Sequence, residues 1–273
     1  MTSTPRESAA RAQQDGVHLD DVAVGELRRA IAEGEVRPWY QPILRLATRE
    51  LVGFEALARW HRPSGIVELP GAFIGLAEEA GLVTTLDLTV LDQAAADLAR
   101  WRERRPDLRM SVNFSARHLD DPAWVDTVHM RTTTHGVPPS NIDVELTESA
   151  RPRDLARGSE QLARLRELGY AVWFDDFGTG WSELTHLVDV PVDGIKIDRF
   201  FTERLGGRAD AVVRALLQVA AELGLATTIE GISTTDQAER ALALGCDLAQ
   251  GFLWSVPLDR DEADGWVAAA GAP

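Results

Sequence analysis

The stretch PWYQPILRLATRELVGFEALARW, residues 38–60, holds two extended-looking segments divided by a very short connection. PWYQPILRL (38–46) and LVGFEALARW (51–60) are rich in apolar and aromatic residues, and only Ala47 to Glu50 separate them. A parallel neighbour needs a crossover of roughly a dozen residues or more, so this connection suits only a hairpin. The two segments are therefore expected to pair antiparallel.

The rest of the chain follows a different rhythm. Extended candidates recur as LRMSVNFS (108–115), IDVELTES (142–149), AVWFDDF (171–177), GIKID (194–198), ATTIEGI (226–232) and LAQGFLW (248–254). Helical patterns lie between most of them, at 86–104, 155–169, 209–224 and 233–245. Gly169, Gly224 and Gly245 end three of these as left-handed C-caps, and Ser233 or Thr234 offers an N-cap for the last. Strand and helix alternating in this way predict a parallel sheet with crossover helices. With the hairpin included, the pattern predicts an α/β fold, a modified (β/α)8 TIM-like barrel with one antiparallel strand. Residues 1–19, polar and without periodicity, read as a mobile tail, and 20–273 as a single barrel domain.

Composition narrows the function. The 273 residues carry a net charge of −15, which argues against polymeric nucleic acid as a partner. A small anionic ligand stays compatible, because bound divalent cations reverse the sign of a site. Cys246 is the single cysteine, so neither a disulfide framework nor a cysteine-based zinc site exists, and it reads as a core residue. No signal-peptide hydrophobic region or apolar run of about 18 residues is present, so the chain reads as cytoplasmic, with no membrane insertion.

Seven segments each carry polar residues inside or just after an apolar run: Glu55, Asn113, Glu145 with Glu148, Asp175 with Asp176, Lys196 with Asp198, Glu230, and Gln250. In a barrel of this kind these positions fall at the carboxyl ends of the strands, where chemistry sits. So many converging acids would repel one another unless cations neutralise them, since each unpaired buried charge costs several kcal/mol. An oxygen-only donor set points to Mg²⁺ or Mn²⁺. Asp175 and Asp176 pose a puzzle, because neighbours on a strand face opposite ways. They can share one site if the strand ends between them, one carboxylate then bridging two ions. His18, His61, His118, His129, His135 and His186 are scattered and add no ligand pair. Trp173, Trp181 and Trp254 read as packing.

YQPI (40–43), GFEALARW (53–60), FIGLAEEAGL (73–82), SVNFSA (111–116), ELTES (145–149), DDFGTG (175–180), IKID (195–198), EG (230–231) and QGFLWSVPL (250–258) together resemble the EAL-domain cyclic-di-GMP phosphodiesterases, in family order over about residues 22–260. The resemblance implies the same barrel, hydrolysis of cyclic-di-GMP to pGpG, and two cations per active site. One cation would be held by Glu55, Asn113, Glu145 and Asp175, the other by Asp175, Asp176 and Glu230. Glu55, Asp176, Lys196 and Glu230 form the implied catalytic set. Lys196 would orient the attacking water or contact the developing oxyanion; the alternative is an ion pair with Asp198. Glu230 combines ligation with a general-base role. Gln41, Leu57, Arg59, Asp198 and Gln250 make up the implied substrate-binding set. Arg59 follows Glu55 by four residues, on the same strand face, and its alternative is an ion pair at the rim. Glu148 would steady the loop after Phe177, beside the interface of an implied homodimer.

The chain departs from the family where it reads IEGIS, with Ile229 and Ser233; the last position is usually Glu, part of the metal's outer support. Such changes commonly cost about 10–100-fold. Trp181 and Glu183 replace the usual Tyr and Ser. These departures keep open a second reading, a non-hydrolytic EAL domain acting as a cyclic-di-GMP receptor or protein-interaction module. A metal-dependent barrel acting on another phosphodiester or a sugar phosphate fits the carboxylates equally well; the motif resemblance alone excludes it.

Overall fold

Strands β1 (Val36–Arg45) and β2 (Leu51–His61) pair antiparallel from Val36↔Trp60 to Leu44↔Leu51, so the hairpin forms. Its turn is closed by the Arg45 N–H donating to the Glu50 carbonyl at 2.9 Å, with Arg49 in the left-handed region at φ 61°. The structure is a computed structural model and describes residues 21–147, 155–178, 187 and 190–270.

A two-residue strand, β3 (Val67–Glu68), folds back onto the far end of β2. Next come β4 (Arg109–Phe114), β5 (Ile142–Thr147), β6 (Ala171–Phe177), β7 (Gly194–Ile197), β8 (Ala226–Ile229) and β9 (Leu248–Ala249). From β2 through β4 to β9 every pairing is parallel. β9 then meets β1 antiparallel through Leu44↔Ala249 and Arg45↔Leu248, and the sheet closes. β3 lies outside the ring, and β1 is antiparallel to both its neighbours. The fold is the expected modified (β/α)8 barrel.

Helices cover the outside. Leu86, Val90, Leu91, Ala94 and Leu98 recur at helical spacing along Val83–Arg102 and share one core with Phe54, Met110 and Val112 of the strands. Each such Leu or Val, fully buried, contributes roughly 1.5–3 kcal/mol. The expected helix stops are present: Gly224 (φ 71°) ends Ala209–Leu223 and Gly245 (φ 99°) ends Thr235–Leu244. Thr234 caps the latter in a reciprocal capping box with Gln237. β8 and β9 are shorter than the extended segments in the sequence, because Gly231 (φ 69°) and Gly251 (φ 156°) bend the chain out of the ladder. No described helix is long and apolar enough to cross a membrane.

Alternation along the strands places Gly53, Ser111, Asp143, Trp173, Gly194 and Thr228 on the same faces as the polar residues nearer the strand ends. Arg109 forks onto Asp143, its Nε 3.0 Å from Oδ2, on this face below the carboxylates. Trp173 lies across from Gly194, and a Cβ at Gly194 would come within 2.4 Å of the Trp173 ring. The indole therefore fits only because its neighbour has no side chain. Gly194→Ala should lower stability by roughly 2–3 kcal/mol, read in thermal unfolding as a Tm drop of about 5–10 °C. Adding Trp173→Leu should recover most of that loss.

Candidate active site

β6 does not end between the paired aspartates, contrary to the expectation from sequence. It runs to Phe177, and Asp176 instead adopts the left-handed region at φ 55°. The β6–β7 pairing passes from Phe174↔Ile195 to Phe177↔Ile197, so three steps on one strand face two on the other. The extra residue is a bulge, and it lets both carboxylates reach the barrel mouth. The Asp176 N–H donates to Asp175 Oδ1 at 3.0 Å, which ties the bulge to the site. A non-glycine residue in this region costs about 1–3 kcal/mol and persists where its surroundings impose it.

Four carboxylates, three on strands β2, β5 and β6 and the fourth just past β8, surround one ammonium. Lys196, 1% exposed, places Nζ 3.1 Å from Glu55 Oε2, 2.9 Å from Glu145 Oε2, 3.1 Å from Asp175 Oδ1 and 2.7 Å from Glu230 Oε1. Its ion-pair partners are these four, and not Asp198. Asn113 Nδ2 donates to Glu55 Oε1 at 2.7 Å. Gln250 Nε2 bridges Glu55 Oε2 at 2.7 Å and Glu230 Oε1 at 3.0 Å, so this glutamine joins opposite walls of the cluster.

One positive charge does not balance four negative ones. Burial would raise the Glu55 pKa, but Lys196, Gln250 and Asn113 together hold it below the usual range. Burial pushes Glu145 well up, with Lys196 opposing and Glu55 and Asp175 adding to the rise. Burial lifts Glu230 to about 8, against Lys196 and with Asp175 and Glu55. Burial and the neighbouring Asp175 and Asp198 lift Asp176 to about 6. Burial works against the Lys196 charge, yet the surrounding carboxylates keep its pKa well above that of a free lysine.

This donor set fits divalent cations. Glu55, Glu145 and Asp175 bring oxygens within 4.8 Å of one another, as do Asp175, Asp176 and Glu230. Asp175 belongs to both groups, and all donors are hard oxygens. Cation binding then displaces the protons that Glu230 and Asp176 otherwise hold. For Glu230 the folded pKa, about 8, stands above the ordinary 4.5, so its contribution to stability is complete below about pH 4.5 and lost as pH rises through 8. Cation-free protein should thus lose thermal stability between about pH 5 and 8. Mn²⁺ affinity should rise roughly 100-fold from pH 6 to 8, measurable by calorimetry with proton release.

The remaining expected residues spread around this centre. Gln41 is buried directly across the hairpin from Glu55, and its Nε2 donates to the Ser255 carbonyl at 2.6 Å. Leu57 lines a recess of about 220 Å³ with Asn113, Ser115 and Asp87. Arg59 makes no ion pair among the described residues; its NH1 donates to the Ala58 carbonyl at 2.8 Å. Asp198 caps the short helix Arg199–Thr202, accepting from the Phe200 N–H at 2.8 Å. Ser233 is exposed, and both its N–H and its hydroxyl donate to Gln237 Oε1, at 2.8 and 3.0 Å. It therefore belongs to the helix cap. Glu148, Trp181, Glu183 and residues 1–19 lie outside the described residues.

Two features escaped the reading by sequence. Asp87 is buried and accepts hydrogen bonds from the Ser115 N–H at 2.9 Å and lies 3.1 Å from His118 Nε2, beside Leu57. An acid within the buried stripe of the helix pattern was the available signal. Trp39 stacks against Arg59, a cross-strand contact visible only once the hairpin register is known.

The profile of the EAL domain matches residues 24–257. The chain belongs to the EAL domain family. A cyclic di-GMP phosphodiesterase of Pseudomonas aeruginosa is 36% identical over 230 residues, covering 84% of this chain and 39% of that protein. An uncharacterized signaling protein of Caulobacter vibrioides is 39% identical, covering 89% of this chain and 30% of that protein. The chain thus spans a minor part of these curated relatives. Among solved structures, the PaMucR phosphodiesterase in complex with c-di-GMP superposes with TM-score 0.83 at 33% identity, covering 88% of this EAL chain and 99% of that one. The EAL enzyme Bd1971, in a form binding cAMP and cyclic-di-GMP, reaches TM-score 0.87 at 28% identity, with coverage of 96% and 72%.

Proposed function

We propose that this EAL domain is a phosphodiesterase that hydrolyses cyclic-di-GMP to linear pGpG with two Mg²⁺ or Mn²⁺ ions. The observation that carries the reading is the pair of carboxylate groups sharing Asp175, set around Lys196 in a family whose relatives include a cyclic di-GMP phosphodiesterase. Glu55, Asn113, Glu145 and Asp175 would hold one ion, and Asp175, Asp176 and Glu230 the other. When bound, the ions supply Lewis acidity, lowering the pKa of a water between them and neutralising charge on the scissile phosphate.

The residues then divide the remaining work. Lys196 holds four carboxylates in register through a charge that survives burial. Glu230 commits Oε1 to Lys196 and Gln250, which leaves Oε2 for the second ion or for the proton of an attacking water. Arg59, on the same face as Glu55 and without a carboxylate partner among the described residues, would bind a phosphate oxygen. Gln250 keeps the Glu55 and Glu230 walls together.

Turnover of cyclic-di-GMP, compared with that of bis(p-nitrophenyl) phosphate, tests this reading against its rivals. Strong preference for the dinucleotide supports it, whereas equal turnover points to a general phosphodiesterase, and saturable binding without turnover to a receptor. Because Ser233 serves the helix cap, Ser233→Glu is expected to change the rate by less than about threefold, within the small range of surface substitutions. Activity that appears only in that variant would contradict the reading.

A further inference from the structure

Among the four carboxylates around Lys196, Glu230 alone lies beyond its strand. β8 ends at Ile229, and Gly231 at φ 69° turns the chain away. The Glu230 N–H still donates to the Ile197 carbonyl at 3.0 Å, but its carbonyl has left the ladder. A carboxylate set by a turn is located only as well as the turn is held.

Two side chains from neighbouring helices hold this one. Thr202, fully buried at the end of Arg199–Thr202, donates its hydroxyl to the Glu230 carbonyl at 2.5 Å. Gln237, in the first turn of Thr235–Leu244, donates Nε2 to the Thr202 carbonyl at 3.1 Å. Its Oε1 accepts from the Ser233 N–H and hydroxyl, at 2.8 and 3.0 Å, and from the Thr234 N–H at 3.1 Å. The short helix also lies directly against the turn, since a Cβ at Gly231 would come within 2.5 Å of Arg199 Cβ. An unbroken chain of hydrogen bonds therefore runs from a helix cap through Gln237 and Thr202 to the backbone of Glu230.

We propose that Thr202 and Gln237 are positioning residues for Glu230, a strap that sets how tightly the second cation is held. The inference rests on the two-cation reading above. Glu230 shares its oxygen group with Asp175 and Asp176, whereas Glu55 and Glu145 belong to the other, so a turn that drifts weakens one position and spares its neighbour. Loss of support behind a metal ligand commonly costs about 10–100-fold in affinity. Ser233 supplies one hydroxyl beside two backbone donors at Gln237 Oε1, so the strap survives its replacement.

Three variants separate the strap from the helix cap. Gln237→Glu keeps an acceptor for the cap, as in an ordinary capping box, but sets a carboxylate oxygen against the Thr202 carbonyl where Nε2 donated. Its added negative charge alone would tighten cation binding, so weaker binding is not a charge effect. Thr202→Val removes the hydroxyl and leaves the Glu230 carbonyl unpaired, while Thr202→Ser retains the donor.

Calorimetric titration of the intact chain with Mn²⁺ at pH 8 should show one ion held as in wild type. The other should bind about tenfold more weakly in Gln237→Glu and Thr202→Val, and within about threefold of wild type in Thr202→Ser. In EDTA, the Ile232 amide, which donates to the Gln250 carbonyl at 3.1 Å, should exchange its hydrogen about tenfold faster in the first two variants, while β4 amides keep their rates. Where wild type binds two ions, unchanged Mn²⁺ affinity at both positions in Gln237→Glu and Thr202→Val overturns the strap. Wild type that binds fewer than two would sink the two-cation reading instead. Hydrogen exchange then decides the strap by itself, faster Ile232 exchange supporting it and unchanged exchange overturning it.

Discussion

Asp175→Asn should reduce cyclic-di-GMP hydrolysis by about 10³-fold or more, since the Lewis acidity of bound metal ions is worth several kcal/mol and each 1.36 kcal/mol is tenfold. The substitution keeps the shape of the side chain and removes its charge. Asp175 is the carboxylate common to both oxygen groups, and its Oδ1 also accepts from Lys196 and from the Asp176 N–H. Losing it weakens both cation positions and loosens the bulge that aims Asp176. Asp176→Asn touches only one group, so Mn²⁺ titration should show one ion retained in that variant and neither held tightly in Asp175→Asn. Equal effects of the two substitutions would mean that Asp175 does not bridge.

Lys196→Met carries the second large expectation. The ammonium is buried among four carboxylates, and removing one partner of a buried ionic network costs about 3–5 kcal/mol, because the others are left uncompensated. In EDTA at neutral pH the Tm should fall by roughly 10 °C. Saturating Mn²⁺, which supplies positive charge to the same carboxylates, should recover much of that loss. Activity should remain at least 100-fold down even with cation, since the carboxylates lose the group that sets their register. An unchanged Tm in EDTA would show that Lys196 does not hold the cluster together.

The barrel was legible because its signals are local. Ala47 to Glu50 are too few for a crossover, and the hairpin with antiparallel β1 followed directly. Gly224 and Gly245 marked helix ends because their left-handed backbone angles favour glycine. The helix Trp124–Thr134 was not legible: its last turn is TTT, and Thr132, Thr133 and Thr134 donate their hydroxyls to carbonyls one turn back, which hides a β-branched run inside a helix.

The candidate site shows the same division. The acids brought together are those whose positions at strand ends announced them. How Asp175 and Asp176 share a mouth was not legible, since alternation alone sends neighbours to opposite faces. The bulge depends on the β7 register, Phe177↔Ile197, a long-range fact. Gln250 as a brace between Glu55 and Glu230, and Trp39 beneath Arg59, likewise depend on partners distant in the chain or across the hairpin.

The most direct test is incubation of the purified chain with cyclic-di-GMP and Mg²⁺ or Mn²⁺, followed by separation of products, with EDTA and Glu55→Ala alongside. Metal-dependent pGpG formation in the wild type, abolished by EDTA and lost in Glu55→Ala, is the predicted result. Hydrolysis that persists in EDTA or in Glu55→Ala, or an absence of pGpG from wild type with either cation, would contradict the central claim.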